Sequence, residues 1–188
     1  MKNKSILLHV CCAPCMIYPL EQLRKQDFEV CGFFYNPNIQ PNDEYDKRKK
    51  NVFTYSNQTN CNMFFDKSDD SERFFAAFDG KLDSPQRCHN CWYLRMKKTA
   101  EHAKKINVNY FTTTLLVSPY QDGEKIKEIG RKVAEQTGIE FYYENFSVGY
   151  QYAVQVSRLE NMYRQKYCGC NLSFAQSQAA KNKKKIKK

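Results

Sequence analysis

The sequence predicts a single α/β domain: a mostly parallel, Rossmann-like sheet of about five strands flanked by helices. Three observations carry that expectation. Short runs rich in β-branched and aromatic residues alternate with longer segments of helical periodicity, and such alternation builds parallel sheets. The 188 residues suit one hydrophobic core that needs no disulfide framework. No apolar run approaches the roughly 20 residues of a membrane span, and the one near the N-terminus, about six residues long, is too short for a signal-peptide core. The chain is therefore expected in the cytoplasm, with no membrane partner.

In chain order, SILLHV (residues 5–10) reads as a buried strand because it is a short, nearly continuous apolar run. CMIYPLEQLRKQ (15–26) follows as a helix. FEVCGFFY (28–35) and CNMFF (61–65) are strands by their aromatic and β-branched content, with helical NDEYDKRKKNVFTYSNQ (42–58) between them. DSERFFAAFDG (70–80) and CHNCWYLRMKKTAEHAKKI (88–106) are the next helices, and NYFTTTLLV (109–117) is a fourth strand. In DGEKIKEIGRKVAEQTG (122–138), Ile126, Ile129 and Val133 recur at helical spacing, and Gly138 ends the pattern as a helix C-cap would. IEFYYENF (139–146) completes the sheet, and a last helix, AVQVSRLENMYRQ (153–165), leads into YCGC.

Residues 1–180 make the domain, and 181–188, KNKKKIKK, are expected to be a disordered tail. The formal net charge is +10, and six of those charges lie in that tail. A terminal lysine run attracts nucleic acid without sequence selectivity, so the charge agrees with an RNA partner without establishing one.

Nine cysteines in a reducing compartment point to metal or redox chemistry rather than to structural disulfides. Cys11 and Cys12, in LLHVCCAPC, fall at the carboxyl end of the first strand, where ligands gather in open parallel sheets. Cys88 and Cys91 form a C-x-x-C at the start of a long helix, on one helical face and beside the positive end of its dipole. That motif alone fits zinc, an iron–sulfur cluster or a dithiol. Cys168 and Cys170 flank a glycine that could supply the backbone angles of a strained, readily reduced disulfide; a zinc pair is the other reading. Four thiolates from Cys11, Cys12, Cys88 and Cys91 suffice for an iron–sulfur cluster, which leaves Cys168 and Cys170 as a two-electron dithiol. Adjacent cysteines can serve one cluster only if the chain is already turning, and Ala13-Pro14 makes that turn plausible. Cys15 is either a further ligand, to a mononuclear iron beside the cluster, or a packed thiol. Cys31 and Cys61 read as core.

These segments together resemble the epoxyqueuosine reductase family of the QueH type. The resemblance rests on LLHVCCAPC, FFYNPNIQPNDEYDKRK, RCHNCWYLRM, FTTTLLVSPYQD and YRQKYCGC, spanning about residues 6 to 174. It implies reduction of the epoxide of epoxyqueuosine to queuosine at the wobble position of tRNA, the last step of queuosine synthesis, without cobalamin. It also implies a 4Fe-4S cluster on Cys11, Cys12, Cys88 and Cys91, and a redox-active pair at Cys168 and Cys170. Trp92 and Gln121 depart from the family pattern, where tyrosine and lysine are usual. The external electron donor is not readable from the sequence.

Candidate proton donors are His9, Tyr35, Asn36 and Asp122, all at carboxyl ends of predicted strands. His9 equally reads as a core histidine, and Asn36-Pro37 as turn chemistry. For RNA, EYDKRKKNVFTY and YRQKY mix basic and aromatic residues. The first is also a plausible solvated helix, so Arg164 and Lys166 are the better substrate contacts. Two rival functions are a zinc-stabilised RNA-binding module without catalysis, and an ATP-dependent tRNA-thiolation enzyme. The second wants a glycine-rich phosphate loop after the first strand, where this chain has HVCCAPC.

Overall fold

Strand β1 (Lys4–His9) runs through the centre of the molecule, with Ile6, Leu7 and Leu8 fully buried. The structure, a computed structural model, describes residues 4–66, 71–76 and 85–186. Helix α1 (Ala13–Lys25) returns the chain to β2 (Phe28–Phe34), and α2 (Asn42–Gln58) returns it to β3 (Asn62–Phe65). A short α3 (Ser71–Ala76) precedes α4 (Gln86–Lys105), and β4 (Tyr110–Thr113), α5 (Gly123–Thr137) and β5 (Glu140–Phe141) complete the sheet. Helices α6 (Tyr150–Leu159) and α7 (Asn171–Ile186) follow. No described helix is long and apolar enough to cross a membrane.

The five strands lie in the order β3-β2-β1-β4-β5 and are all parallel. Strand order therefore reverses between β1 and β4, which opens a crevice outside their carboxyl ends. In register, His9 at the end of β1 lies beside Phe33 on one side and Thr113 on the other. The expected α/β class and strand number are borne out.

Several boundaries differ from the sequence reading. NYFTTTLLV is strand only to Thr113, whose hydroxyl accepts the Leu115 amide at 3.1 Å and turns the chain into a 3-10 helix over Thr114–Val117. IEFYYENF keeps two paired residues at the sheet edge, and Phe146–Gly149 is a second 3-10 turn. The helix expected to reach residue 165 ends at Leu159, ahead of Asn161 at a left-handed φ of 49°. Helix α7 continues into the lysine run as far as Ile186. Of the segment read as a helix over 70–80, residues outside Ser71–Ala76 lie outside the described ones.

Close approach fixes one helix on the sheet. A Cβ on Gly130 of α5 would stand 2.3 Å from the Phe141 ring. Gly130→Ala should cost about 1–3 kcal/mol by overpacking, read as a lower urea midpoint with an unchanged slope; an unchanged midpoint would show that the ring yields freely.

Candidate active site

The crevice between β1 and β4 is occupied by thiols. Strand β1 stops at His9, so Cys11 sits in a bend and Cys12, at φ −170° and ψ 162°, is the residue preceding α1. Pro14 in the first turn is compatible with helix entry because its missing N–H had no intrahelical partner. The tandem cysteines thus escape the opposite-face geometry of a strand, and their sulfurs are 3.8 Å apart. Cys15, one helical step further, brings a third sulfur, and all three lie within 4.8 Å of one another. Of the two sequence readings of Cys15, the geometry places it with the metal-capable thiols.

Across the crevice, Thr114 binds the loop twice. Its hydroxyl accepts the Cys11 amide at 3.0 Å and approaches Cys11 Sγ at 3.3 Å. Gln165 brings Nε2 to 2.9 Å from Cys12 Sγ and 3.8 Å from Cys15 Sγ. Within the nest, hydrogen bonds from Cys12 and then Cys15 hold the Cys11 thiol well below its ordinary value, and Arg95 adds to this. Desolvation raises Cys12, and the bond to Cys11 raises Cys15.

Cys88 and Cys91 lie in the first turns of α4, half-buried, and outside the 4.8 Å nest. Arg95 links Cys91 to it. This guanidinium is 1% exposed; Nη1 is 3.8 Å from Cys91 Sγ, and Nη2 donates to Asn36 Oδ1 at 2.6 Å. Asn36 Nδ2 in turn donates to the Val10 carbonyl at 2.9 Å. Arg95 Nε has no hydrogen-bond partner, and no carboxylate forms an ion pair with Arg95 among the described residues. A buried cation without a carboxylate is costly unless another anion answers it. Cysteine sulfurs are the groups beside it that can carry negative charge. Desolvation raises Cys91, with Arg95 opposing that rise.

The C-G-C segment forms the other wall. Arg48, buried on α2, pairs with Glu44 at 2.7 Å and donates to the carbonyls of Tyr167 and Cys168, both at 2.9 Å. Tyr163 binds the same Glu44, and the Gly169 carbonyl accepts the Gln40 amide at 2.8 Å. Gly169 has φ +135°, and a Cβ there would press within 3.0 Å of Asn38 and Ile39, so glycine is required twice over. Cys168 faces a cavity of about 330 Å³, together with Cys11, Cys15, Arg48, Arg95 and Lys166. Tyr120, 82% exposed, and Tyr150 pack edge to face at its mouth.

The proton-donor candidates fare differently. His9 is fully buried, with Nδ1 2.8 Å from Thr113 Oγ1 and Nε2 3.2 Å from the Tyr35 carbonyl. Burial, with Arg95 nearby, lowers its pKa to about 3, so it is a neutral core residue. Asn36 carries the Arg95 link, and Asp122 caps α5 through the Lys125 amide at 2.9 Å. Tyr35 is buried, with Lys98 over its ring. Gln121 lines the cavity, 4.0 Å from Cys168 Sγ. Cys61 is buried and Cys31 half-buried against the core. Lys166 reaches the cavity, while Arg164 is exposed. Sequence reasoning missed Arg95, Arg48 and Arg87. The first two left a helical signal, since Arg95 follows Cys91 by four residues and Arg48 follows Glu44 by four.

A sequence model of the family described as epoxyqueuosine reductase QueH matches residues 6–176. The chain belongs to that family. A QueH relative from Thermotoga maritima is 35% identical over 177 residues, covering 90% of each chain. One from Dehalococcoides mccartyi is 30% identical, covering 88% of this chain and 90% of its own. Among solved structures, the U34-tRNA thiolase NcsA from Methanococcus maripaludis, with its [4Fe-4S] cluster, superposes with a TM-score of 0.59 at 11% identity, over 99% of this chain and 68% of its own. A predicted tRNA methyltransferase subunit from Methanocaldococcus jannaschii gives 0.52 at 9% identity, over 81% and 74%. At those identities the likeness concerns the fold alone.

The nest places Cys15 among thiols that could hold a metal ion, a role its sequence left open. Cobalt(II) added anaerobically to the reduced protein should give thiolate charge-transfer absorption, and Cys15→Ser should weaken that binding by about tenfold or more. Equal affinity in wild type and variant would return Cys15 to the packed thiols.

Proposed function

We propose that this chain reduces the epoxide of epoxyqueuosine, at the wobble position of tRNA, to the alkene of queuosine, as a cobalamin-independent oxidoreductase. The observation that carries this reading, beside family membership, is the open cavity lined by Cys11, Cys15 and Cys168 with two buried arginines. A structural zinc site is closed on four ligands; thiols that face a cavity are placed to react. The thiolation reading lacks its phosphate loop, since residues 10–15 contain no glycine.

The donor set fits an iron–sulfur cluster. Arg95, buried with an orphaned Nε, supplies the positive charge that an anionic thiolate-bound group needs. Cys11, Cys12, Cys88 and Cys91 are the proposed holders, and Cys15 could hold a separate iron. When bound, such a group supplies one-electron transfers and a Lewis-acidic iron. The remaining work falls to side chains. Cys12 and Cys15, with Arg95 and Thr114, hold the Cys11 thiol below its ordinary value, and Arg48 holds Cys168 against the cavity. Tyr120 and Tyr150 at the mouth offer ring faces to unpaired anticodon-loop bases, and Lys166 offers a phosphate contact.

Anaerobic reconstitution with iron and sulfide, then incubation with epoxyqueuosine-containing tRNA and a strong reductant, should give nucleosides lighter by one oxygen. Replacing Cys168 and Cys170 together with serine should abolish that turnover and leave the visible absorption of the cluster unchanged. A colourless, zinc-loaded protein without turnover would favour the RNA-binding module instead.

A further inference from the structure

The two cysteines of the C-G-C segment sit in unlike surroundings. Cys168 turns to the cavity, where Gln121 Nε2 lies 4.0 Å from its sulfur. Cys170 turns toward the first turn of α4, where Arg87 Nη2 lies 3.0 Å from its sulfur. The Ser173 hydroxyl, in the first turn of α7, lies 3.3 Å from the same sulfur. That hydroxyl also accepts the Gly169 amide at 3.3 Å and is 2.8 Å from the Cys170 carbonyl, so it is fixed in place. Arg87 is itself buried, and among the described residues no carboxylate forms an ion pair with it. Among the described residues, the Cys170 sulfur is the side-chain group that accepts from this guanidinium.

We propose that Cys170 is the thiolate of the pair and Cys168 its proton carrier, and that Arg87 is the positioning residue that sets this asymmetry. The charged and titratable groups facing Cys170 are Arg87 and Cys91 from α4, and Tyr167 and Cys168 from its own loop. The hydroxyl of Ser173 faces it from α7. Desolvation raises Cys170, but Ser173 and Arg87 outweigh it, and the thiol falls below its ordinary value. Cys168 goes the other way. Although the residue reaches solvent, no cationic side chain is hydrogen-bonded to its sulfur among the described residues.

The inference rests on the proposed reaction only for its oxidant, an epoxide. Closing the pair forms one S–S bond and releases two electrons with one proton, the proton of Cys168, because Cys170 enters as a thiolate. Converting the epoxide to an alkene takes up two electrons and two protons and releases water. One proton therefore comes from Cys168, which faces the cavity, and the other from solvent.

The test is the pH dependence of iodoacetamide alkylation, read by fragment-ion mass spectrometry on the peptide that carries both cysteines. The full-length protein is used as purified anaerobically, so that thiols holding metal are protected. Alkylation follows the thiolate, so Cys170 should react first, with a midpoint below that of an ordinary thiol. Arg87→Met should slow the reaction at Cys170 by about tenfold at pH 7, the change expected for one unit of pKa, and leave Cys168 unaffected. Arg87→Lys should restore most of the rate. Ser173→Ala carries the same expectation with a smaller effect, and decides the matter should Arg87→Met fail to fold. Identical profiles in the variants and wild type, or earlier reaction at Cys168, would overturn the assignment. Because the readout involves no tRNA, a failed reductase assay would count against the proposed function and leave this result standing.

Discussion

A buried guanidinium, paired with no carboxylate among the described residues, organises this protein. Arg95 is removed from water on α4, and the groups within reach of it are an amide oxygen and cysteine sulfurs. Desolvating a cation of that size costs several kcal/mol unless negative charge compensates it. The groups there that can carry such charge are cysteine sulfurs. The same side chain also joins three segments that the sheet brings to one end: the loop after β1 through Asn36 and Val10, the end of β2 through Asn36, and the C-x-x-C through Cys91. Charge balance and loop placement therefore depend on one residue.

The topology explains why that residue can work there. Reversal of strand order between β1 and β4 leaves a crevice that the chain fills with Cys11 and Cys12 on one lip and Thr114 on the other. Nucleotide-binding members of such folds place glycines and phosphate at that crevice. Here cysteines occupy the equivalent turn, and the positive end of α1 faces sulfur instead of phosphate. A second buried arginine, Arg48, draws the C-G-C segment in over the crevice by its backbone carbonyls. Fold and site are thus joined by two arginines, one acting on sulfur and the other on main chain.

How much of this was legible in the sequence varied with the range of the interaction. Strand periodicity and the Gly138 cap are local, so the sheet and most helices could be read directly. The pairing of Cys11 with Cys12 needed only a turn after a short strand. Cys15 was ambiguous because its partners depend on how α1 enters the crevice, which no local pattern encodes. Arg48 sat in a segment that also read as a solvated helix, and Arg95 in the helix of the C-x-x-C; burial against loops some 120 and 60 residues away along the chain turned them into structural cations. His9 went the opposite way, from a site candidate to a core residue, because Thr113 and the Tyr35 carbonyl satisfy both ring nitrogens. The early end of α6 and the presence of α7 depend on Asn161 and on the docking of residues 163–170, neither of which has a strong sequence signal.

The most direct test of the central claim is to count iron and acid-labile sulfide in anaerobically purified wild type, Arg95→Met and Arg95→Lys. If the buried guanidinium answers an anionic, thiolate-bound cluster, wild type carries both elements, the methionine variant loses most of them while remaining folded, and the lysine variant keeps an intermediate share. A folded methionine variant with the full complement of iron and sulfide would contradict the account.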